Sequence, residues 1–178
     1  MDEQNLTSIL KPPFQLKQCR NGWFVCNTND YYIGLALYLY GEFSENEATI
    51  FRQLIRPGQT VLDVGANIGA HTVLFAQLTG PAGQVYAFEP QRLVFQQLCT
   101  NVTLNSLPNV YCQQIGLSDH IGSMIVPPVN YNKLGNFGLV SLVEDGIGES
   151  VAINTIDNLH LSACHFLKID VEAWKKKY

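Results

Sequence analysis

The chain has 178 residues, of which 47% are hydrophobic and 15% are charged, and its formal net charge is −4 at pH 7. That length suits one domain with a small extension and is ample for a packed core. An acidic balance without a basic stripe argues against a nucleic-acid-binding role and against a polybasic membrane anchor. No stretch approaches the ~18 apolar residues that span a bilayer, so we expect no membrane partner.

The cysteines indicate a reducing compartment. Their number is odd, and no two of them form a C-x-x-C pair, which is typical of ordinary buried thiols rather than a disulfide framework or a zinc site. The first ten residues carry two acids and no base, unlike a secretory signal. We therefore expect a cytoplasmic protein. The cysteines are Cys19, Cys26, Cys99, Cys112 and Cys164.

The N-terminal part predicts a hairpin followed by a helix. Residues 14–25 alternate around Asn21-Gly22, a strong two-residue turn signal. Residues 30–43 are apolar and rich in tyrosine, and fit either a strand or a short helix. Their tyrosines are either core residues or a wall that binds an acceptor. Ser44 and Glu47 have the spacing of a capping box that opens a helix.

From residue 60 onward, short apolar strands alternate with helices. Such repeated β-α-β units predict an α/β fold with a Rossmann-like, mostly parallel sheet and helices on both faces. The segments 123–126 and 150–153 predict an inserted hairpin, and residues 165–170 predict a further buried strand. The other strands are expected at 60–64, 84–88 and 109–115, and the helices at 69–78 and 91–105.

The loop after the first of these strands carries the strongest signal for a ligand. Asp63 ends the strand, and Gly65 and Gly69 let the backbone of the loop approach a ligand closely. A third glycine and a basic residue are missing, which disfavours a dinucleotide or a phosphate. An acid with free loop amides suits an amino acid or its sulfonium derivative. The alternative is a buried Asp63 that only ties the loop together by hydrogen bonds.

Two further acids follow the next two strands. Glu89 ends the second strand, where a carboxylate can accept hydrogen bonds from both hydroxyls of a ribose. A solvated loop acid is the alternative for that position. Asp119 follows the third strand and either approaches an adenine amino group or serves as a cap or turn residue.

A third group of charged residues lies near the end of the chain. Lys168, Asp170 and Glu172 alternate along one strand and share a face if the strand stays regular. Asp170 is the favoured candidate for acid–base work, whereas Lys168 suits a structural role and Glu172 fits either. Two carboxylates are too few to predict a metal site.

The histidines give weaker signals. His71 lies in the first helical turn after the glycine loop and is a candidate for the wall of the cofactor pocket. His165 lies inside an apolar strand, where a core histidine with satisfied hydrogen bonds is expected. Neither has a Ser or Cys partner at a recognisable spacing, which excludes nucleophilic catalysis of that kind.

Four motifs in series resemble the FkbM-type family of class I S-adenosylmethionine-dependent methyltransferases. The resemblance covers most of the chain, from about residue 43 to residue 172. Residues 136–142 also resemble a loop that the family places before its last β-hairpin. The motifs are VLDVGANIG at 61–69, VYAFEP at 85–90, GLSD at 116–119 and LKIDVE at 167–172.

The resemblance implies methyl transfer from S-adenosylmethionine to a hydroxyl of a small metabolite, sugar or polyketide-like acceptor. Asp170 and Glu172 would line the methyl-transfer end as catalytic residues, and no metal is implied. Carried over from the family, the cofactor-binding residues would be Asp63, Gly65, Asn67 and Gly69 for the methionine part and Glu89 for the ribose. Asp119 is added to this set for its place after the third strand, near the expected adenine.

The end of the chain departs from the family pattern. Ala173 and Lys175 stand where the family has Gly and Glu, so residues 173–178 look like a foreign tail on a truncated domain. Of the family strand order 3-2-1-4-5-7-6, this chain would supply 3-2-1-4. The fourth strand would then form a bare edge, which invites pairing.

These features lead to two expectations for the organisation of the protein. We expect an N-terminal extension at 1–43 and an incomplete methyltransferase domain at 44–178, with a homodimer possible through the bare edge. The alternative function is a non-catalytic module that binds adenosyl ligands or pairs with another chain through that edge.

Overall fold

A computed structural model describes residues 11–172 of the chain, and the unusual tail expected at 173–178 lies outside the described residues. The first element is an antiparallel hairpin of β1 (Phe14–Cys19) and β2 (Gly22–Asn27). Cys19 pairs with Gly22, so the turn consists of Arg20 and Asn21. The hairpin prediction is confirmed, but its turn lies one residue earlier than expected.

Two helices follow the hairpin: α1 (Ile33–Tyr40) and α2 (Glu45–Leu54). The ambiguous segment 30–43 is thus helical, and it ends at Gly41, which has the left-handed φ of 69° typical of a helix end. The predicted capping box is wrong, because Ser44 makes no side-chain cap and instead donates a hydrogen bond to Glu47 Oε2 over 2.5 Å.

The chain then alternates strands and helices, as the sequence predicts. A second, small sheet is inserted after the last of these strands, and a final strand returns to the main sheet. The alternating elements are β3 (Thr60–Val64), α3 (Ala70–Thr79), β4 (Gln84–Phe88), α4 (Arg92–Leu104) and β5 (Val110–Gln113). The small sheet contains β6 (Gly116–Leu117), β7 (Gly122–Val126) and β8 (Glu149–Asn154), and the final strand is β9 (Phe166–Ile169).

The main sheet is parallel throughout, with the strand order β5-β4-β3-β9. This is the predicted order 3-2-1-4, and the α/β, Rossmann-like fold class is confirmed. The inserted hairpin is confirmed as well, since β7 and β8 pair antiparallel, with β6 added parallel to β8.

One face of the main sheet packs against the helices. Val61 and Val85 belong to the same core cluster as Phe51 of α2 and Phe75 of α3. Further along the same face, Ala87 packs in a cluster with residues of α4. Burying this apolar surface, at roughly 25 cal/mol per Å², holds the helices on the sheet.

The opposite face of the main sheet has a different cover. Leu62, Val64 and Phe88 pack there against Leu117 and Leu159, the latter in a single 3-10 turn at Asp157–Leu159. The cover on this face therefore comes from β6 and from the segment between β8 and β9. The sequence predicts helices on both faces, but among residues 11–172 the α-helices pack on one face and this face has a single 3-10 turn.

The final strand is less buried than predicted. β9 lies at the edge of the sheet, and its residues alternate between half-buried and exposed positions. His165 is exposed rather than part of the core, although its Nδ1 accepts a hydrogen bond from the amide of Thr60 over 3.0 Å. Its edge position accounts for this exposure, because no strand among residues 11–172 pairs with the outer side of β9.

Candidate active site

A cavity of about 280 Å³ opens at the carboxyl ends of β3, β4 and β9. This edge is the usual ligand-binding edge of an open α/β sheet, and the volume is near the lower end of the ~300–1,000 Å³ found for ligand pockets. Many of the predicted site residues line it: Gly65, Asn67, Glu89, Asp170 and Glu172.

Residue 65 begins the loop after β3, and its backbone conformation and surroundings require a glycine. Its φ is 75°, and a Cβ at this position would lie 1.9 Å from the backbone oxygen of Asp170. Only a residue without a Cβ allows the loop to pass the end of β9 this closely. Gly65 therefore brings the loop and the carboxyl end of β9 together at the cavity.

Asn67 and Glu89 join the loops that follow β3 and β4. Asn67 has a left-handed φ of 50° and donates its backbone amide to Glu89 Oε2 over 3.0 Å. Its own side-chain oxygen accepts a hydrogen bond from the amide of Ile68 over 2.8 Å. The two loops are thus fixed relative to each other before any ligand binds.

Glu89 is a buried acid of the cavity whose pKa is shifted. Its side chain is buried, and its second oxygen accepts a hydrogen bond from the amide of Gln91 over 2.9 Å. Burial raises its pKa to about 7, although the two backbone hydrogen bonds oppose this shift. Near neutral pH the carboxylate can therefore gain stabilisation from any further hydrogen-bond donor that enters the cavity.

Gly69 does not line the cavity. It precedes α3 with a φ of 88°, and a Cβ here would lie 2.8 Å from Leu98 Cδ1 of α4. Its glycine is thus explained by backbone conformation and by the contact between α3 and α4. Close approach of a ligand is not needed to account for it.

Asp63 lies behind the loop rather than in the cavity. Its exposed fraction is 0%, and it accepts a hydrogen bond from Thr72 Oγ1 over 2.6 Å. Its Oδ1 lies 3.1 Å from the ammonium of Lys168, which also donates to the carbonyl of Gly65 over 3.0 Å. Direct contact of Asp63 with a ligand ammonium does not fit this geometry, whereas the alternative of an acid that ties the loop together does.

Sequence reasoning assigned no counterion to Asp63. Lys168 is that counterion, because β9 lies beside β3 with Asp63 opposite Lys168 in the register. The alternation of residues 168, 170 and 172 indicates that these charged side chains share a face of the strand. It does not give the register between β9 and β3, which are about a hundred residues apart in the chain.

Asp170 and Glu172 reach the cavity from the end of β9. Both are exposed, and Asp170 Oδ2 lies 3.7 Å from the ammonium of Lys168. The cation therefore lies between a buried carboxylate, Asp63, and one that faces the cavity. Among residues 11–172 no group of three or more His, Cys, Asp or Glu side chains is arranged to hold a metal ion.

Asp119 and His71 lie outside the cavity. The exposed carboxylate of Asp119 contacts His120 Nδ1 over 2.7 Å, and this hydrogen bond holds the pKa of Asp119 below its usual value. His71 does not form part of the pocket wall. It is buried between aromatic rings of Phe43, Phe51 and Phe75, and burial lowers its pKa.

The remaining cavity walls come from segments with weak sequence signals. Tyr32, Ile33 and Phe43 form one wall, and the rings of Tyr32 and Phe43 contact each other edge to face at 5.6 Å. The tyrosine-rich pattern of residues 30–43 is compatible with a wall that binds an acceptor, but it does not indicate which of these residues form the wall. Further apolar lining residues are Val64, Phe88, Pro90, Ile115, Leu117, Met124, Leu139, Val140, Leu142, Ile153 and Val171.

Comparisons with known proteins identify a family. The family model described as "Methyltransferase FkbM domain" matches residues 63–174. A curated relative, the 31-O-demethyl-FK506 methyltransferase FkbM of Streptomyces tacrolimicus, is 36% identical over 103 residues, which are 57% of this chain and 38% of the relative. The match thus spans about two fifths of the length of that protein.

Solved structures give shorter or more distant matches. A SAM-dependent O-methyltransferase from Thermotoga maritima is 23% identical, with 40% of this chain and 28% of that chain covered and a TM-score of 0.38. TYW2 from M. jannaschii, crystallised in complex with AdoMet, is 24% identical, with 58% and 43% covered and a TM-score of 0.45.

Proposed function

This chain belongs to the FkbM methyltransferase domain family, and we propose that it transfers a methyl group from S-adenosylmethionine to a hydroxyl of a small metabolite, sugar or polyketide-like acceptor. The observation that carries the proposal is the cavity itself. It brings the glycine loop after β3, the buried Glu89 and the carboxylates of β9 to one edge of the sheet.

The residues of the cavity fit the chemistry of this cofactor. Gly65 and Asn67 would hold the methionine part through loop backbone, and Glu89 would accept hydrogen bonds from the ribose hydroxyls. The apolar side chains of the small sheet, such as Leu117 and Met124, suit an adenine ring. The raised pKa of Glu89 supports this role, because hydroxyl donors stabilise its ionised form.

The other predicted cofactor residues take indirect roles in this proposal. Asp63 positions Lys168 and, through it, the carbonyl of Gly65. Gly69 sets the packing of α3 on α4. At the proposed adenine end, residues 116–118 line the cavity, whereas the exposed carboxylate of Asp119 contacts His120.

The catalytic step needs alignment and the removal of a proton. When bound, S-adenosylmethionine supplies an electrophilic methyl group on a sulfonium. Asp170 or Glu172 would accept the proton of the acceptor hydroxyl, a contribution of typically ~10²–10⁴-fold. Lys168 contacts Asp170 and would help to position its carboxylate. Tyr32 and Phe43 would bind the apolar part of the acceptor and orient its hydroxyl, and such orientation can supply much of the rate enhancement.

Several features support a small acceptor. The Streptomyces tacrolimicus relative is a 31-O-demethyl-FK506 methyltransferase by name, and FK506 is a small molecule. The net charge of −4 disfavours a nucleic acid partner.

The location and assembly of the protein are a separate matter. No helix within residues 11–172 is long and apolar enough to cross a membrane. The unpaired cysteines favour the cytoplasm, and the bare edge of β9 offers a surface for a second copy.

A labelled-methyl assay tests the proposal. The purified protein is incubated with S-adenosylmethionine carrying a radioactive methyl group and with a panel of sugars and macrolides with free hydroxyls. We expect label in at least one acceptor, and a loss of at least about 100-fold in Asp170→Asn or Glu172→Gln. The matched control is Asp157→Asn, an exposed acid outside the cavity.

Two results would count against this function. Full transfer by both carboxylate variants would remove the proposed base. Binding of S-adenosylhomocysteine without transfer to any acceptor would favour the alternative of a non-catalytic module that binds adenosyl ligands.

A further inference from the structure

The cavity has a wall from the long connection between β7 and β8. Asn136, Gly138 and Leu139 of this connection line the cavity, around a 3-10 turn at Phe137–Leu139. Phe137 itself is buried and packs edge to face on Tyr131 at 4.9 Å. The position of this wall therefore depends on what holds Phe137.

Both backbone polar groups of Phe137 face residues of other segments. Its carbonyl accepts a hydrogen bond from Gln91 Nε2 over 2.8 Å, and Gln91 in turn donates its amide to Glu89. Burial raises the pKa of Asp30, and the amide of Phe137, which faces this carboxylate, opposes that shift. One residue of the wall is thus tied on one side to the proposed ribose acid and on the other side to the N-terminal segment.

Asp30 is a buried acid with no role in the proposed chemistry. Its exposed fraction is 3%, and it also accepts hydrogen bonds from the amides of Tyr32 over 3.2 Å and Gly34 over 3.0 Å. The same carboxylate therefore fixes the cavity residue Tyr32 just before α1 and the first turn of that helix, and it faces the turn at Phe137. Acids are rarely buried to this degree unless they are paired in this way.

Neighbouring contacts reinforce the connection. The amide of Tyr31 donates to the carbonyl of Gly135 over 3.1 Å, and the amide of Gly135 donates to the carbonyl of Asn29 over 2.9 Å. The side chain of Asn27, which is 1% exposed, donates to the carbonyl of Tyr131 over 3.1 Å. The turn at 27–31 thus contacts the segment 131–137 along its length.

We propose that Asp30 is a positioning residue of the cofactor site, holding the segment 131–137 against the turn at 27–31 so that residues 136–142 form a closed wall of the cavity. Asp30 lies outside the part of the chain that the family model matches, which begins at residue 63. The N-terminal segment is then a component of the site rather than an appendage to it. The expected effect on cofactor binding rests on the proposed function, whereas the contact between the two segments does not.

The test combines a probe of the wall with a probe of binding. Lys133 is exposed within the segment 131–137, so trypsin cleavage after it reports release of the segment. We expect Asp30→Ala to raise that cleavage rate at least about tenfold, as loss of a hydrogen bond to a charged group implies, and to weaken S-adenosylhomocysteine binding by a similar factor. Asp30→Asn, which keeps one acceptor oxygen, should lie between Asp30→Ala and wild type in both measurements.

Two controls separate this role from general stability. Asp157→Ala removes an exposed acid, and Leu37→Ala removes a buried side chain of α1 while leaving Asp30 in place. Both should cleave at Lys133 within about twofold of the wild-type rate under native conditions. An unchanged cleavage rate in Asp30→Ala, or an equal rise in Leu37→Ala, would overturn the proposal.

Hydrogen exchange of the wild-type protein keeps the proposal testable if Asp30→Ala does not fold. The amide of Phe137 should be protected about as well as amides of the small sheet, and exchange at the rate of an open loop would refute the contact. If the wild-type protein fails to bind S-adenosylhomocysteine, the proposed function fails, whereas cleavage and exchange still decide the role of Asp30.

Discussion

Replacing Lys168 with methionine should destabilise the fold strongly, because it leaves a buried charge without its counterion. Asp63 is 0% exposed, and the side chain of Lys168 is 13% exposed. At their separation of 3.1 Å, Coulomb attraction at an effective dielectric constant of about 20 amounts to about 5 kcal/mol. Measured costs of removing one member of a buried pair are ~3–5 kcal/mol, and we expect a loss in that range.

Urea unfolding followed by circular dichroism measures this loss. With a slope of about 2 kcal/mol per M, Lys168→Met should lower the midpoint by roughly 2 M. The double variant Asp63→Asn with Lys168→Met removes both charges and should recover at least half of the loss. The control Lys133→Met changes an exposed lysine and should stay within about 0.5 kcal/mol of wild type.

The reasoning would be refuted by either of two outcomes. A loss below about 1 kcal/mol in Lys168→Met would show that the pair is not a significant electrostatic contact. A double variant no more stable than the single one would show that the cost arises elsewhere, for example from the carbonyl of Gly65 that loses its donor.

Three other changes have defined outcomes. The pKa of Glu89 is raised to about 7, and hydroxyl donors favour its ionised form. S-adenosylhomocysteine should therefore bind about tenfold more tightly at pH 8 than at pH 6, as measured by calorimetry. Glu89→Gln should show no such pH dependence. Gly65→Ala should cost at least about 2 kcal/mol in urea unfolding, since its Cβ would lie 1.9 Å from the backbone oxygen of Asp170; a wild-type midpoint would contradict the close approach. His71→Phe should leave S-adenosylhomocysteine affinity within about twofold, because His71 packs among aromatic rings outside the cavity; a large loss of affinity would return His71 to the site.

The sequence predicts the main sheet well because its signals are local. Each apolar strand and each following helix is short and bounded by turn residues, and parallel strands with helical crossovers leave few possible orders. The loop residues Gly65 and Asn67 and the acid Glu89 reach the cavity because they follow strands whose carboxyl ends meet at one edge.

What the sequence misses depends on contacts between distant segments. The pairing of Asp63 with Lys168 follows from the register of β3 and β9, and the contact of Asp30 with Phe137 joins residues more than a hundred positions apart. Its place after the loop of Gly65 and Gly69 makes His71 a candidate for the pocket wall, but its side of α3 faces α2 and its Nε2 contacts Glu47. Helical phase alone does not decide which neighbour a polar side chain meets.

The capping box at Ser44 failed for a local reason. Ser44 adopts a left-handed φ of 49°, and its hydroxyl donates to the Glu47 carboxylate rather than accepting from a backbone amide. The residue types are right for a cap, but in this backbone conformation the side chain of Ser44 makes no hydrogen bond to an amide of α2.

Calorimetric titration of the wild-type chain with S-adenosylhomocysteine tests the central claim most directly. Light scattering first confirms that the sample is not aggregated, NAD serves as the control ligand, and Glu89→Gln is titrated in parallel. The account predicts saturable binding at one site, no binding of NAD, and affinity at least about tenfold weaker in Glu89→Gln at pH 8, where a charged hydrogen-bond acceptor is lost. A folded wild-type protein that binds none of these ligands, or a Glu89→Gln variant that binds as tightly as wild type, would contradict it.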